Sequence, residues 1–381
     1  MSTQFPNSPS NGDIVVINGY TYVYDSAKDR WSVKKGINEF LASLKNYIVT
    51  DVDPTTDYNP GTTDTWWLNK DTGILYKCYD ASTNDNKWRG LEFPIDVSFS
   101  WYNYGLSYAY LAGYYSSGSE LDKISLTSDG NATAVPGGVG HVTSWGGGGQ
   151  SQENSYLLGG YNDKSRIDKM PFANEGGYTD IGTLAFQTYT NCATSHVEKT
   201  YSIGDTSRQR GIQSVPFAND TASSDIGDIF TYNHGYNAAS ASTLDYGYVV
   251  CGNSGEHRYA EKFAVASDTA SYIGQLLRNR RYTAGTNSQT YGYVHGSYNP
   301  PRYSQIEKYP FADATVSAAD IGNLTQARGY LDGASSETHG YAMGGYPTSS
   351  TIDKYPFSSD TNATDVGDLT RAKRMGVATQ V

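Results

Sequence analysis

Along most of the chain, β-branched and aromatic residues alternate with polar ones over short runs that end at Gly, Asn, Asp or Pro, as in YTYVYD at 20 and YLLGG at 156. An alternation of period two turns one face of an extended strand toward a core. A helical stripe stands out over Gly36 to Val49 (GINEFLASLKNYIV), where Ile37, Phe40, Leu41, Leu44 and Ile48 fall on one face. The pattern predicts an all-β chain with one short amphipathic helix over 36–49.

One hexapeptide recurs six times: LDKISL, IDKMPF, IQSVPF, AEKFAV, IEKYPF and IDKYPF begin at 121, 167, 212, 260, 306 and 352, with steps of 46, 45, 48, 46 and 46 residues. About ten residues before each lies an aromatic strand ending in glycine: YLAG at 110, YLLGG at 156, YSIG at 201, YVVCG at 248, YVHG at 293 and YAMGG at 341. After it comes an apolar-glycine step: DIGTL at 180, DIGDI at 225, YIGQL at 272, DIGNL at 320 and DVGDL at 365, with only TAVPG at 133 in the first copy. A segment of small residues, such as Tyr330 to Ser336, joins one copy to the next. Four short strands in each repeat of this length match one blade of a β-propeller, whose inner strands are small because they converge on an axis. Residues 95–381 therefore read as a six-bladed propeller.

A ring needs closing, because an unpaired edge strand invites other chains to pair with it. Lys373 to Val381 aligns with Arg328 to Ser336, so it is a first strand with no second strand after it, and it can complete the blade begun by Tyr104 to Tyr114. Asp96 to Asn103 competes for the same slot. If that segment filled it, the tail strand would be an addition and a seventh, partial blade would form.

Two smaller units precede the repeats. Gly12 to Val33 and Thr63 to Leu91 each read as a strand, a glycine turn, a tyrosine-rich strand and a strand carrying Trp31 or Trp88. Tyr22 and Tyr24, and Tyr76 with Cys78, place one hairpin face against that tryptophan, and Trp66 lies on the opening strand of the second unit. Units this short cannot bury a sufficient core alone, so they pack on something else. The expected order is a β-meander over 1–35, the helix over 36–49, a second β-meander over 50–94 and the propeller over 95–381. The helix packs on a meander or joins a bundle with neighbouring protomers.

The glycine pairs Gly159-Gly160 and Gly344-Gly345, and the absence of any Trp-Asp dipeptide, make the repeat resemble kelch blades rather than WD40 blades. It departs from kelch in lacking a tryptophan in every copy and in reducing the glycine pair to Gly204-Asp205, Cys251-Gly252 and Gly296-Ser297. The opening FPNSPSNGDIVVINGYTYVYDSAKDRWSV, with the second unit of tryptophan strand, Asp-Thr-Gly turn, tyrosine strand and closing Trp88, resembles modules of tailed-bacteriophage virion proteins, tail fibres and appendages above all. That resemblance implies a multi-copy virion component attached to other virion proteins through residues 1–94, with its C-terminal domain pointing outward.

Charge and composition narrow the partners. The chain holds 39 acidic against 28 basic residues, a net charge of -11, which disfavours nucleic acid because phosphate contacts need a basic face. The run Arg278, Arg280 and Arg281 reads as a solvated strand end. No apolar run is long enough to cross a bilayer, and MSTQFPNSPSNGD offers neither a basic start nor an apolar stretch, so synthesis in a cytoplasm is expected. Cys78, Cys192 and Cys251 form no CxxC pair and are expected as free, buried thiols.

No enzymatic constellation emerges. His141, His196, His234, His257, His295 and His339 stand singly, away from metal-site spacing, and His295 occupies a position that other copies fill with Leu158, Val250 and Met343, so it reads as a packed histidine. Gly146 to Gly149 reads as a glycine turn without the residues that cradle phosphate. Asp220, Asp225 and Asp228 recur as Asp360, Asp365 and Asp368 without a calcium-loop signature, so they are expected to bond their own backbone in turns. No catalytic residue, metal or cofactor is assigned.

Tyrosine is the unusual component, with 34 residues among 381. Tyr114, Tyr115, Tyr161, Tyr298, Tyr303 and Tyr346 follow the glycine step, in loops that emerge on one propeller face. Tyrosine supplies rigid contact area with a hydrogen-bonding tip, which suits recognition of sugars or proteins. The leading expectation is a non-enzymatic virion protein whose propeller binds a host-surface glycan or protein. An architectural decoration or connector is the alternative, and a polysaccharide hydrolase or lyase a third.

Overall fold

In a computed structural model the chain divides into two compact units, Met1–Trp101 and Tyr102–Val381. Described in the first are residues 14–17, 20–25, 30–33, 46–50, 52–55, 58–60, 62–63, 65–69, 75–84 and 87–91. In the second they are 107–381 except 115–117, 140–143, 190–191, 197, 205–209, 230–237, 244, 253–257, 266, 268, 299–300 and 313–314.

In the first unit, β1 (Ile14–Ile17), β2 (Tyr20–Asp25) and β3 (Arg30–Val33) form an antiparallel sheet in which Tyr24 lies opposite Trp31 and Tyr22 opposite Val33. A second sheet joins β4 (Asn46–Thr50), β5 (Thr65–Asn69), β6 (Leu75–Asp80) and β7 (Lys87–Leu91). Here the sequence reading fails at the helix. Asn46–Thr50 is a strand that pairs parallel with β5, Ile48 opposite Trp67, so residues 46–49 are not helical. The run NYIVT combines tyrosine with β-branched Ile48, Val49 and Thr50, and ladder pairing outweighs the helical stripe. The rest of the expected helix, and the competing closure segment 96–103, lie outside the described residues.

The second unit is a six-bladed β-propeller. Blade one joins β8 (Tyr108–Tyr114), β9 (Gly118–Ser125) and β10 (Thr133–Ala134). Blade two is β11 (Gly147–Gln150), β12 (Asn154–Leu158), β13 (Arg166–Pro171) and β14 (Thr179–Thr183). Blade three is β15 (Cys192–Ser195), β16 (Lys199–Ile203), β17 (Gly211–Pro216) and β18 (Ser224–Asp228). Blade four is β19 (Ala239–Ser242), β20 (Tyr246–Val250), β21 (Tyr259–Ala264) and β22 (Ala270–Gln275). Blade five is β23 (Ala284–Asn287), β24 (Tyr291–Ser297), β25 (Tyr303–Pro310) and β27 (Ala319–Asn323), with β26 (Val316–Ser317) pairing parallel to β22 of the blade before. Blade six is β28 (Asp332–Ser335), β29 (His339–Met343), β30 (Ser349–Pro356) and β31 (Thr364–Lys373).

The last strand, β32 (Val377–Gln380), pairs antiparallel with β8, Val377 opposite Ala112, and becomes the inner strand of blade one. The ring is thus closed by the C-terminal segment. Its six inner strands touch in the cycle β11, β15, β19, β23, β28, β32 and back to β11. Gly147 to Gly149 belong to an inner strand rather than the expected turn. Inner strands crowd so closely that a Cβ on Gly148 would come within 2.0 Å of the Ala378 carbonyl oxygen, and one on Gly333 within 2.3 Å of that of Gly285.

Packing is between blades. In three blades the tyrosine of the second strand stacks on the hexapeptide aromatic of the following blade: Tyr110 on Phe172 at 5.5 Å, Tyr156 on Phe217 at 5.3 Å and Tyr293 on Phe357 at 4.6 Å, whereas Tyr341 donates to the Leu126 carbonyl at 3.1 Å. Such ring stacks add about 0.5–1.5 kcal/mol each beyond area burial. The hexapeptide lysine also reaches the next blade, Lys169 to Asp220 at 2.6 Å and Lys308 to Asp360 at 2.6 Å. Asp225 and Asp365 accept the backbone N–H two residues on, that of Gly227 and Gly367, as their turn assignment required, and Asp180 and Asp320 do the same for Gly182 and Gly322. Asp220 and Asp360 serve instead as ion-pair partners across blades, Asp228 pairs with Arg210 at 3.5 Å and Asp368 accepts the Ser350 hydroxyl at 2.6 Å.

The acidic residue of the hexapeptide is the deepest device. A β-bulge falls at Asp168, Gln213, Glu261, Glu307 and Asp353, and such an irregularity re-aims the side chain. Glu307 meets Arg280 at 2.8 Å, Asp353 meets Arg328 at 3.1 Å and Asp122 meets Lys373 at 3.1 Å, with every one of these side chains fully buried. The same carboxylates accept backbone N–H groups from the incoming linker: Leu277 to Glu307 at 2.9 Å, Thr325 to Asp353 at 3.0 Å and Thr370 to Asp122 at 3.1 Å. Where the acid is Gln213, the linker carries Thr188 at the matching position, and the Gln213 amide bonds the Phe186 backbone at 3.3 and 3.2 Å. The Arg278 to Arg281 run is therefore not a solvated strand end: Arg280 is buried, and Arg278 bonds Glu307 and Asp320 at 3.0 and 2.8 Å.

Other buried groups follow the sequence reading. Cys78, Cys192 and Cys251 are free and buried. His295 is fully buried 3.3 Å from the Tyr355 hydroxyl, and burial with Arg328 and Arg280 nearby lowers its pKa to about 3, so it stays neutral.

Two outcomes test this architecture. Deleting residues 375–381 removes the inner strand of blade one, and a loss of about 3–5 kcal/mol would lower the melting temperature by roughly 10 °C, at about 2–4 °C per kcal/mol; an unchanged melting curve contradicts C-terminal closure. Asp353→Ala leaves Arg328 buried without its carboxylate and should cost about 3–5 kcal/mol in urea unfolding, while Asp353→Leu with Arg328→Met should cost much less.

Candidate functional site

The linkers entering blades two, five, six and one pass through one residue with left-handed backbone: Trp145 at φ 66°, Tyr282 at 53°, Tyr330 at 56° and Met375 at 60°. A bulky residue held there costs about 1–3 kcal/mol, and such strain gathers at functional positions. Backbone bonds running round the ring hold it. The Tyr330 N–H donates to the Tyr282 carbonyl at 2.9 Å, the Met375 N–H to that of Tyr330 at 3.0 Å and the Trp145 N–H to that of Met375 at 3.0 Å.

A second row of tyrosines is tied to the same linkers. Tyr161, Tyr298 and Tyr346, each in the loop after a second strand, donate their N–H groups to the carbonyls of Ser144, Arg281 and Gly329 at 2.9, 3.0 and 2.6 Å. Each therefore stands beside the left-handed residue of its own blade. The rings form one connected plate: Tyr189 to Tyr161 at 6.2 Å, Tyr161 to Trp145 at 6.4 Å, Trp145 to Tyr282 and Tyr330 at 5.9 and 6.0 Å, Tyr282 to Tyr330 at 4.0 Å, Tyr330 to Tyr298 at 4.6 Å and Tyr298 to Tyr346 at 5.5 Å. Tyr161 is 58% exposed and the other rings are half-buried. Guanidinium groups border the plate: Arg281 is 5.8 Å from both Tyr282 and Tyr298, and Arg302 and Arg374 are 4.9 and 5.1 Å from Tyr346.

The expected candidates divide accordingly. Tyr161, Tyr298 and Tyr346 belong to the plate. Tyr303 instead packs on the buried Arg280 guanidinium at 5.6 Å, and Tyr114 lies under Arg371 at 4.4 Å. Tyr115 lies outside the described residues. Trp145, Tyr189, Tyr282 and Tyr330 were missed because their linkers read as small-residue connections. The signal was present, two residues before the inner strands at Gly147, Ala284 and Asp332.

Beneath Trp145, Tyr282, Tyr330 and Met375 the axial channel holds a cavity of about 170 Å³. Its wall carries one unexpected charge. Asp332 opens β28, where the other inner strands open with Gly147, Cys192, Ala239, Ala284 and Val377. Burial raises its pKa to about 7, against the opposing pull of the Gly376 N–H and Lys373. No group of three metal-ligating side chains occurs among the described residues.

The first unit places its aromatics differently. Trp67, missed by the sequence reading, is buried and packs edge-on to Tyr58 at 4.6 Å and Trp88 at 5.8 Å, and its indole N–H donates to the Val52 carbonyl at 2.7 Å. Cys78 pairs opposite Trp88, as expected, while Tyr76 pairs opposite Trp67. Lys77 lies over the Trp66 ring at 5.2 Å. The side chains of Tyr22, Tyr24 and Trp31 lie outside the described residues.

Fold and site define a six-bladed β-propeller with an aromatic plate around one channel mouth. No protein-family model matches the chain, and no curated protein matches it.

Asp332 makes a pH-dependent prediction. Its pKa is near 7 in the folded chain and near 3.9 when unfolded, so the folded state binds the extra proton between those values and loses stability as pH rises through them. Asp332→Asn should raise the melting temperature at pH 8 and lose that advantage below about pH 4. An equal shift at both pH values contradicts the burial argument.

Proposed function

We propose that this chain is a non-enzymatic structural protein of a tailed-phage virion, with residues 1–94 attaching it to other virion proteins and the propeller binding a glycan on the host surface. The observation that carries the binding role is the connected plate of Trp145, Tyr161, Tyr282, Tyr298, Tyr330 and Tyr346. Flat aromatic rings with polar edges stack on sugar rings while their hydroxyls hydrogen-bond sugar hydroxyls. Left-handed backbone at Trp145, Tyr282 and Tyr330 supports the reading, because it falls at the three linker residues whose rings meet at the channel mouth.

The virion assignment rests on the opening pattern of residues 1–91 and on the shortness of its two sheets, which suits attachment to a larger surface. The kelch-like assignment rests on Gly159-Gly160 and Gly344-Gly345, all with positive φ, at the turn that delivers the plate tyrosines. Binding without catalysis is favoured because the buried carboxylates of Asp122, Glu307 and Asp353 are already engaged by linker cations. The second reading, a decoration or connector, has one observation in its favour: tyrosine and arginine together are also the residues of protein–protein hot spots.

Binding of the full chain to a glycan array and to bacterial cells tests the proposal. Affinity for a bound glycan should fall at least tenfold in Trp145→Ala and in Tyr161→Ala, and the exposed Tyr161 should be replaced with little change in melting temperature. Failure to bind any glycan or cell, with the plate buried against a virion protein in the assembled particle, would establish the architectural role instead.

A further inference from the structure

Resting on the glycan-binding reading, the charge around the plate narrows the ligand. The chain is acidic, with 39 acidic against 28 basic residues, yet three arginines converge on one sector of this face. Several other arginines of the propeller are used against carboxylates: Arg166 meets Asp168 at 2.7 Å, Arg371 meets Glu120 at 2.7 Å, and Arg280 and Arg328 are buried against theirs. Arg281 and Arg302 meet no carboxylate among the described residues. They lie beside tyrosine rings, Arg281 partly buried and Arg302 exposed to solvent.

The placement is asymmetric. Tyr346 has Arg302 and Arg374 within 4.9 and 5.1 Å, and neighbouring Tyr298 has Arg281 at 5.8 Å, so the positive sector spans blades five and six. Trp145 and the exposed Tyr161 lie at the other end, in blade two. Asp332 stands in the channel wall below, where it disfavours an anion inside the cavity and leaves the rim as the favourable position. A planar guanidinium matches a carboxylate or phosphate with paired N–H donors, and its affinity for a neutral hydroxyl is weaker.

We infer that the plate recognises an acidic glycan, a saccharide bearing carboxylate or phosphate groups, with its sugar rings on Trp145 and Tyr161 and an anionic group held by Arg281 and Arg302, while Arg374 adds positive charge beside Tyr346. Carboxylated and phosphorylated sugars share the chemistry that these groups read.

The test uses the full chain and three immobilised probes: polygalacturonate, its fully methyl-esterified form, and a phosphate-linked teichoic acid. Binding to polygalacturonate or to teichoic acid, weakened at least tenfold between 50 and 500 mM NaCl and about tenfold or more by Arg302→Gln or Arg281→Gln, supports the inference, at ~1.4 kcal/mol per tenfold and ~1.5–3 kcal/mol per charged hydrogen bond. Arg302 is exposed, so its replacement should leave the melting curve unchanged. Equal, salt-insensitive binding to the methyl ester overturns the acidic class while leaving glycan binding intact. Absence of binding to all three probes, with a neutral glycan bound on an array, also overturns it. Absence of binding to every glycan, acidic or neutral, removes the glycan reading and this inference together. Single-stranded DNA or polyglutamate bound as tightly as polygalacturonate would show a general anion surface and overturn the glycan assignment.

Discussion

A cation buried against a carboxylate, where the linker from one blade enters the next, is the constraint on which the propeller depends. Arg280 with Glu307, Arg328 with Asp353 and Lys373 with Asp122 lie wholly out of water. Such pairs gain little over apolar packing in net stability, because desolvating two charges offsets most of their attraction. Their value lies in position. Each acid belongs to a third strand, and each cation to a linker or, for Lys373, to the end of an outer strand, so the pair sets where the chain turns inward. The neutral Gln213 with its bonds to Phe186 shows the same joint made without charge.

That joint also places the candidate site. Two residues beyond Arg280, Arg328 and Lys373 come Tyr282, Tyr330 and Met375, the left-handed residues at the channel mouth. The residue between them, Arg281 or Gly329, lends its carbonyl to a tyrosine of the loop after the second strand. Core electrostatics, backbone strain and surface aromatics are therefore consecutive in sequence. A linker released from its buried acid would lose both the inter-blade contact and the geometry of the plate.

Closure by β32 extends this economy, since the final linker carries Lys373, Arg374 and Met375 directly into the strand that seals blade one. The chain ends within one ring whose six inner strands touch in sequence. The inner strands line the channel mainly with Gly, Ala, Ser and Thr, and Asp332 is the charged side chain in its wall, its pKa raised by burial.

The repeat of about 46 residues and its four-strand arithmetic were legible in the chain, because period-two patterning and glycine turns are local properties that recur six times, while the closing strand was one of two candidates until β32 was seen to pair with β8. The Asp-to-Gly turns were legible for the same reason. Two features required the folded structure. Asn46–Thr50 is a strand because it pairs with Thr65–Asn69, a partner some twenty residues away that no local stripe reveals. Trp145, Tyr282 and Tyr330 form a plate only because ring closure brings blades two, five and six round a common axis, and Arg280 and Arg328 became buried staples only where each met a carboxylate distant in sequence. Local pattern determines what kind of strand a segment becomes; which distant side chains share a surface is decided by the closure of the ring.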